Sequence, residues 1–247
     1  MRILVCISNI PDTTTKVRFK EQSTQLDDTT IQWVINPWDE LALTRAVELK
    51  ADALCPVNKV DVVTVGTFLA EPSLRKCLAI GADRAIRIDH EPLDAYQTAS
   101  QLAEYIKKED YAFIICGIES GDYNEAAVGG MLAELLDFVS LSSVSSVRFE
   151  GGVPYFLRDV ANGKEELKVN GTAVLIVQKG FARVPKIPNM RGIMTARSKP
   201  LDVLQPVPGD PLVEFVKYDS PPAKGAVQMV DSVQELVQRL SGEAKLI

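Results

Sequence analysis

Histidine is almost absent from this chain of 247 residues, since His90 is the only one. The sequence therefore excludes a metal site built from several histidines and any Ser-His-Asp relay that does not use His90. We expect His90 to lie in a surface loop, because it directly follows Asp89 at the end of a strand-like run.

Cysteine is scarce too, and no Cys-x-x-Cys pair occurs among the four, which are Cys6, Cys55, Cys77 and Cys116. The spacing therefore offers neither a zinc ribbon nor a thioredoxin-like motif. A chain of this length buries a core without disulfides. We expect small buried thiols in a reducing compartment and, accordingly, a cytoplasmic protein.

Long apolar runs and a basic net charge are missing as well. No stretch of 18 apolar residues occurs, and the apolar run at the N-terminus is too short for a signal peptide. These features predict no direct membrane insertion. The formal net charge of −6 argues against general nucleic-acid binding.

Familiar nucleotide and hydrolase motifs are absent. The first strand-like run is not followed by G-x-G-x-x-G, and neither G-x-x-x-x-G-K-[ST] nor G-x-S-x-G occurs. No pair of carboxylates stands out by its spacing. The sequence therefore favours a binding or carrier protein over a free-standing enzyme.

The first half of the chain alternates short apolar runs with helical patterns. The predicted strands and helices follow one another in the order 2–8, 39–50, 60–66, 73–80, 84–88, 93–107, 111–117 and 122–136. Continuous apolar strands separated by helices are typical of a parallel sheet that is covered on both faces. We therefore predict a doubly wound α/β domain.

Helix ends in this half carry recognisable signals. Asn36 is suited to cap the helix that follows, with Pro37 at its first position and the charge of Asp39 facing its free amides. Gly81 is suited to end the next helix in a left-handed conformation.

The second half changes character. Segments that alternate with a period of two flank Gly151-Gly152 and Asn170-Gly171, and both turns predict antiparallel hairpins. Six prolines from position 200 to 222 predict an extended arm, and Ser232 with Glu235 predicts the start of a final helix. We divide the chain into a nucleotide-binding α/β domain, 1–199, and a C-terminal arm, 200–247.

A ligand of an open parallel sheet binds outside the carboxyl ends of the strands. This rule selects the loops after Ser8, Gly66 and Gly117 and the turn at Asn36. The stretch "GIESGDYNEAAVGG" follows a strand and opens a predicted helix, so its amides are suited to a phosphate. Its acidic residues favour the other interpretation, a simple acidic capping turn.

One stretch departs from the acidic balance. "RVPKIPNMRGIMTARSKP", residues 183–200, has five basic residues and no acidic one, in a chain with 27 basic and 33 acidic residues. Two interpretations stay open, a docking element for an acidic partner and a crossover loop that its charges merely solvate.

Several stretches together resemble the beta subunit of electron transfer flavoprotein over essentially the whole chain. They are "RILVCIS", "PDTTTKVR", "INPWDELALTRAVELK", "VVTVG", "LRKCLAIGADRAIRI", "CGIESGDYNEAAVGGMLAELL" and "PNMRGIMTARSKPLDV". Asn-Pro before a helix, Gly-Ala-Asp-Arg and the Ile-Met-x-Ala-basic run are specific in combination, whereas each alone is common.

The resemblance implies a non-catalytic electron carrier. Such a beta subunit forms a heterodimer with an alpha subunit and carries electrons from acyl-CoA or other dehydrogenases to a quinone oxidoreductase or related acceptor. Its fold is the adenine nucleotide alpha hydrolase-like form of the doubly wound sheet. The redox FAD is held mainly by the alpha subunit, and the arm 200–247 packs on that subunit.

The family also places a nucleotide in the beta subunit, AMP in common members and a second FAD in electron-bifurcating ones. By position the implied contacts are Cys6, Asn36, Pro37, Trp38, Asp39, Val65, Gly117, Ile118, Glu119, Ser120, Gly121, Asp122, Tyr123, Asn124, Glu125, Ala126, Ala127 and Val128. Ala126-Ala127-Val128-Gly129 replaces the Asn-Gln-Thr-Gly of AMP-type members, which leaves AMP, FAD and no nucleotide open, with FAD less favoured than AMP.

The basic stretch 183–199 corresponds to the family's recognition loop, which projects an apolar anchor into the partner dehydrogenase. The implied partner-binding residues are Ile187, Pro188, Met190 and Arg191. Ungapped placement makes Met190 the anchor, whereas the anchor-Pro-Asn motif makes it Ile187.

Two other functions are weighed against the carrier. A nucleotide-binding regulatory module of the universal-stress type shares a related sheet, but it requires a glycine-rich phosphate loop that this sequence lacks. A structural subunit that has lost its nucleotide fits the missing amide and hydroxyl donors at positions 126–128.

Overall fold

The computed structural model describes residues 1–20, 25–219 and 221–246. Within these ranges the strands are β1 (Arg2–Cys6), β2 (Asn9–Pro11), β3 (Phe19–Lys20), β4 (Gln25–Leu26), β5 (Trp33–Ile35), β6 (Lys59–Val65), β7 (Arg84–Ile88), β8 (Phe113–Gly117), β9 (Val139–Glu150), β10 (Val153–Val160), β11 (Gly163–Lys168), β12 (Ala173–Val177) and β13 (Leu201–Leu204). The α-helices are α1 (Pro37–Ala51), α2 (Glu71–Ile80), α3 (Ala95–Ile106), α4 (Val128–Leu136), α5 (Met190–Ala196) and α6 (Val233–Gly242).

Nine strands form one sheet in the spatial order β11-β10-β9-β12-β8-β1-β6-β7-β13. Strands from β9 to β13 along this order pair in parallel, whereas β10 pairs antiparallel with β9 and β11. Two small antiparallel pairs, β2 with β5 and β3 with β4, lie outside it. The predicted α/β class with a mostly parallel sheet and antiparallel strands in the second half is confirmed.

Strands β1, β8 and β12 are almost wholly apolar because helices cover both faces of the sheet. In β1, Ile3 and Val5 pack into a core that α1 and α2 share, and Leu4 and Cys6 pack into a second core that α3 and α4 share. Alternate residues of a strand point to opposite faces, so a strand covered on both sides favours apolar residues at successive positions.

Gly81 ends α2 as predicted, with a φ of +147°. A Cβ at this position would lie 2.6 Å from Val47 Cγ1 on α1, so both the conformation and the space require glycine. This close approach lets α1 and α2 pack side by side on one face of the sheet.

The helix predicted from residue 122 begins only at Val128, so its predicted start is wrong. Asn124 and Ala126 have φ values of 54° and 53°, which a right-handed helix does not contain. Residues 118–127 are therefore a loop between β8 and α4.

The hairpin at Gly151-Gly152 is confirmed, because β9 and β10 pair antiparallel across it. The hairpin predicted at Asn170-Gly171 is wrong, since β12 pairs in parallel with β8 and β9. All five residues of β12 are buried, which suits a position between two strands, whereas the exposed polar β11 takes the sheet edge.

The arm leaves the sheet later than position 200, because β13 pairs with β7 at the edge. Residues 205–219 and 221–232 then form neither helix nor strand. The start of α6 is confirmed, since Ser232 Oγ accepts a hydrogen bond from the Glu235 N–H at 3.1 Å. Among the described helices, none combines the length and apolarity that crossing a membrane requires.

Candidate functional site

The strand order reverses at β1. The chain runs outward from β1 through β6 and β7 and then crosses to β8 on the other side of β1. Open α/β sheets bind ligands outside the carboxyl ends of the strands at such a reversal. The candidate site therefore lies where β1 and β8 end, and we call it the strand-end site, formed by Cys6, residues 36–39, Val65 and residues 117–128.

Asn36 joins the start of α1 to the loop after β8. Its Nδ2 donates to the Glu119 carbonyl at 2.8 Å, and its Oδ1 accepts from the Gly121 N–H at 3.3 Å. The side chain makes no capping hydrogen bond to the backbone of α1, so the predicted capping role is wrong, although it does hydrogen-bond the Asp39 side chain. Asn36 is 1% exposed, and its amide shapes the loop.

Asp39 joins the loop after β1 to the end of β8. Its carboxylate accepts from the Ser8 N–H at 2.7 Å and from the Gly117 N–H at 2.9 Å, rather than from the amides of α1 that the sequence predicted. Burial raises the pKa of Asp39 to about 6, although the N–H donors oppose this rise.

Gly117 leaves no room for a side chain at the end of β8. A Cβ there would collide with Asp39 Oδ1 and lie 2.7 Å from Trp38 Cβ. Because Asn36, Asp39 and Gly117 interlock in this way, the walls of the strand-end site are fixed by the protein itself.

The start of α4 offers this site an anion-binding surface. Ala127 at the N-cap has no side-chain acceptor, and the first turn has no acidic residue. The first N–H groups of an α-helix lack intrahelical acceptors and carry partial positive charge, so Val128, Gly129 and Gly130 present free amides.

The side chains of the loop oppose an anion. Glu119, Asp122 and Glu125 lie in residues 117–130, and this stretch has no basic residue. The backbone amides at the start of α4 thus suit an anion, whereas the acidic side chains of the loop oppose one.

The basic segment, residues 183–199, lies away from the strand-end site. It packs through α5 against α2. A cavity lies between residues 186–189 of this segment and Ala79, Ile80 and Gly81 at the end of α2. Helix α2 runs back from the carboxyl end of β6 to the amino end of β7. The cavity therefore lies at the amino ends of the strands, opposite the strand-end site.

Several contacts hold the backbone of the basic segment rigidly. Arg75 of α2 donates to the carbonyls of Ala196 and Lys199, both at 2.9 Å. Gly192 approaches α2 so closely that a Cβ would collide with the Ala79 carbonyl oxygen. Lys199 Nζ in turn donates to the Leu78 and Ala82 carbonyls, which satisfies free groups at the end of α2.

Apolar side chains project from this rigid base. Ile187 is 86% exposed, Met190 73% and Met194 70%. Pro188 is half-buried and Arg191 is exposed. A fixed backbone with an exposed apolar tip is the arrangement that interface anchors use.

Comparison with known proteins decides the family. Residues 23–208 match the model of the electron transfer flavoprotein domain. The chain belongs to the electron transfer flavoprotein family.

Relatives in this family resemble the chain over most of its length. The beta subunit of electron transfer flavoprotein from Bacillus subtilis is 29% identical over 263 aligned residues, covering 100% of both chains. The beta subunit from Homo sapiens is 28% identical, over 97% of this chain and 96% of its own. That from Thermoanaerobacterium thermosaccharolyticum is 34% identical, over 81% and 76%.

The structure brings together most residues that the electron transfer flavoprotein resemblance selected. Cys6 is buried at the end of β1 beside Cys116 of β8, and hydrogen bonding between the thiols, then burial, raises the pKa of Cys6. Val65 ends the neighbouring strand β6. Pro37 is exposed and Trp38 half-buried, and in the loop residues 118–120 are half-buried and 121–126 exposed.

The sequence did not reveal an aromatic series that reaches the strand-end site. Tyr123 of the loop packs against Phe215 with ring centroids 5.9 Å apart, Phe215 stacks on Tyr218 at 5.3 Å, and Tyr218 stacks on Phe19 at 5.0 Å. These residues come from three distant parts of the chain, so no local signal predicted their contact. The series attaches the arm to the loop of the site.

Among the residues that the structure describes, no cluster of three or more histidine, cysteine, aspartate or glutamate side chains is arranged to hold a metal ion. His90 is half-buried, and its Nε2 has no hydrogen-bond partner within the described ranges.

Proposed function

We propose that this chain is the beta subunit of a heterodimeric electron transfer flavoprotein and acts as an electron carrier. It takes electrons from acyl-CoA or other dehydrogenases and delivers them to a quinone oxidoreductase or related acceptor. The observation that carries this proposal is the resemblance to beta subunits along nearly the entire chain.

The alpha subunit is the proposed partner of the arm. Beyond β13 the arm exposes large apolar side chains, namely Leu212, Val213, Phe215, Val216, Val227, Met229, Val233, Leu236 and Val237. An apolar surface of this extent in a chain without a long apolar helix favours a permanent protein interface.

The redox FAD of the heterodimer is held mainly by the alpha subunit in this proposal, and the strand-end site of the chain takes AMP. The free amides of α4 support one phosphate group, and the loop acids disfavour the two phosphates of a second FAD. Bound there, the nucleotide would stabilise the loop and add no redox chemistry.

Ile187 is the proposed anchor for the dehydrogenase. It is more exposed than Met190, at 86% against 73%, and it immediately precedes the half-buried Pro188. Proline restricts the residue before it, so the anchor reaches out from a stiffened backbone. A small anchor with charges around it suits the weak, short-lived contacts of an electron shuttle.

The four cysteines support a cytoplasmic location, because all four are free and buried.

Reconstitution tests the proposed function. The chain is coexpressed with a candidate alpha subunit, and the purified complex is mixed anaerobically with an acyl-CoA dehydrogenase and its substrate. We expect the complex to bind FAD and its flavin absorbance to bleach as the dehydrogenase reduces it. No complex with any alpha subunit, or a complex that no dehydrogenase reduces, would show the proposal to be wrong.

The acidity of the loop favours a second candidate, a structural beta subunit with no nucleotide of its own. Mass spectrometry of the nucleotides released from the denatured heterodimer separates the two. One equivalent each of FAD and AMP supports the AMP proposal, whereas FAD alone supports the structural subunit.

A further inference from the structure

A small cavity lies between the end of α2 and the basic segment. Its volume is about 240 Å³, and its walls include Gly81 on one side and Lys186, Asn189 and Arg191 on the other. The cavity is lined by three charged residues, and all three are basic: Lys186, Arg191 and Lys199.

Two of these three charges have no partner among the residues that the structure describes. Lys199 Nζ is engaged by the Leu78 and Ala82 carbonyls. The side chains of Lys186 and Arg191, in contrast, make no hydrogen bond or ion pair with any described residue. Lys50, near the same end of α2, is paired with Asp83 at 2.9 Å. The cavity therefore concentrates uncompensated positive charge.

The walls are preformed. The Lys186 N–H donates to Thr44 Oγ1 of α1 at 2.9 Å, which fixes the backbone at one rim. Asn189 Oδ1 accepts from the Gly192 N–H at 2.7 Å, which fixes the start of α5. Binding of a ligand therefore costs little conformational entropy in the backbone around the cavity.

We propose that this cavity binds a carboxylate side chain of the partner dehydrogenase, next to the place where Ile187 docks. The inference rests on the proposed function and names a second, charged contact within it. Arg191 presents a planar fork of N–H donors that matches a carboxylate, and Lys186 supplies a second cation. The volume suits one side chain.

Adjacency to the anchor identifies the ligand as part of a protein. Ile187 follows Lys186 in the chain and itself lines the cavity, yet it is 86% exposed. A partner that offers an apolar depression beside an Asp or Glu satisfies both groups at once. An anionic lipid surface would match the charges, and it is the alternative that the test must exclude.

The test compares charge variants of the heterodimer as acceptors for an acyl-CoA dehydrogenase that reduces the parental protein. In Lys186→Gln/Arg191→Gln we expect kcat/KM for flavin reduction to fall by about tenfold or more, since charge-assisted pairs contribute on this scale. The defect persists at about 0.5 M NaCl, where long-range steering is screened. Lys108→Gln, an exposed cation after α3 on the other face of the sheet, changes the rate less than twofold.

Three outcomes would overturn the inference. The double variant reacts like Lys108→Gln, or its defect disappears in high salt and reflects steering alone. In the third, it reacts normally with the dehydrogenase but no longer binds vesicles of phosphatidylcholine and phosphatidylserine that bind the parental heterodimer. Ile187→Ala is measured in parallel to separate the proposed function from the carboxylate site. If only Ile187→Ala is defective, docking through the anchor is supported and the carboxylate site is rejected.

Discussion

Asp39 shows how one buried carboxylate shapes the strand-end site. Its two oxygens hold the Ser8 and Gly117 amides, so they are engaged with the protein's own backbone. These hydrogen bonds hold the loop after β1 and the end of β8 in place. Because the carboxylate is already engaged, a ligand at this site would contact backbone groups instead. That Asp39 belongs to a ligand site stays a prediction, and the sequence assigned its charge to the wrong amides, because spacing along a helix does not reveal contacts to distant loops.

The raised pKa of Asp39 makes a prediction about pH. Burial raises the pKa of Asp39 in the folded state from its ordinary value of 3.8 to about 6. Asp39 therefore contributes stability below about pH 4, and this contribution is lost as the pH rises through about 6. Asp39→Asn removes the titration. We compare the unfolding temperatures of the parental heterodimer and the variant at each pH. The difference, parental minus variant, is expected to fall by about 5 °C between pH 4 and pH 6 and to stay constant above pH 7. A difference independent of pH would contradict this account of Asp39.

Gly192 makes a prediction about the basic segment. A Cβ there would collide with the Ala79 carbonyl oxygen, so Gly192→Ala must displace α5 from α2. We expect a loss of about 1–3 kcal/mol in the free energy of unfolding, measured by urea denaturation. Gly130→Ala is the matched control, because a Cβ at Gly130 meets no atom within 4 Å. Equal stability of the two variants would show that the contact between α5 and α2 is loose.

Among the helices and strands, the sequence predicted correctly those features that depend on neighbouring residues in the chain. Central strands, the positive φ of Gly81 and the start of α6 at Ser232 follow from residues that are near one another in sequence. The parallel position of β12 was missed because a turn motif at Asn170-Gly171 outweighed the fully apolar pattern of the strand. The late start of α4 was missed because a positive φ at Ala126 leaves no sequence signal and Asn124 alone gives only a weak one.

The loop between β8 and α4 predicts an effect of charge on nucleotide affinity. Asp122→Asn/Glu125→Gln removes two negative charges near the free amides of α4. Titration calorimetry of the nucleotide-free heterodimer with AMP is expected to give about fivefold tighter binding in the double variant.

Glu134→Gln is the control for position, since it removes a negative charge in the last turn of α4, away from the free amides, and it leaves the affinity unchanged. If the double variant binds AMP no more tightly than parental heterodimer, the phosphate does not lie at this loop.

For the whole molecule, the two candidate functional regions lie at opposite ends of the strands of one sheet. The strand-end site uses the carboxyl ends of β1, β6 and β8, whereas the basic segment packs on the last turns of α2. The arm with α6 leaves from a third place, the sheet edge at β13. In the proposed carrier, this arrangement would leave the basic segment uncovered when the strand-end site holds a nucleotide and the arm contacts an alpha subunit.

The arm predicts how the heterodimer is held together. Leu236 and Val237 of α6 are 44% and 47% exposed, so Leu236→Asp/Val237→Asp places charge in the proposed interface without disturbing a core. We expect copurification with the alpha subunit to fall at least tenfold. Gln238→Asp on the same helix is the control and copurifies normally. Undiminished copurification of the double variant would place α6 outside the interface.

The most direct test of the central claim compares two ways of reducing the flavin in the Ile187→Ala heterodimer. Stopped-flow absorbance follows reduction by an acyl-CoA dehydrogenase and, separately, by dithionite. The account predicts that kcat/KM with the dehydrogenase falls by about 30-fold, equivalent to about 2 kcal/mol, while flavin content and the dithionite rate match the parental heterodimer. Parental rates with the dehydrogenase would contradict the claim that this chain docks its electron donors through the basic segment.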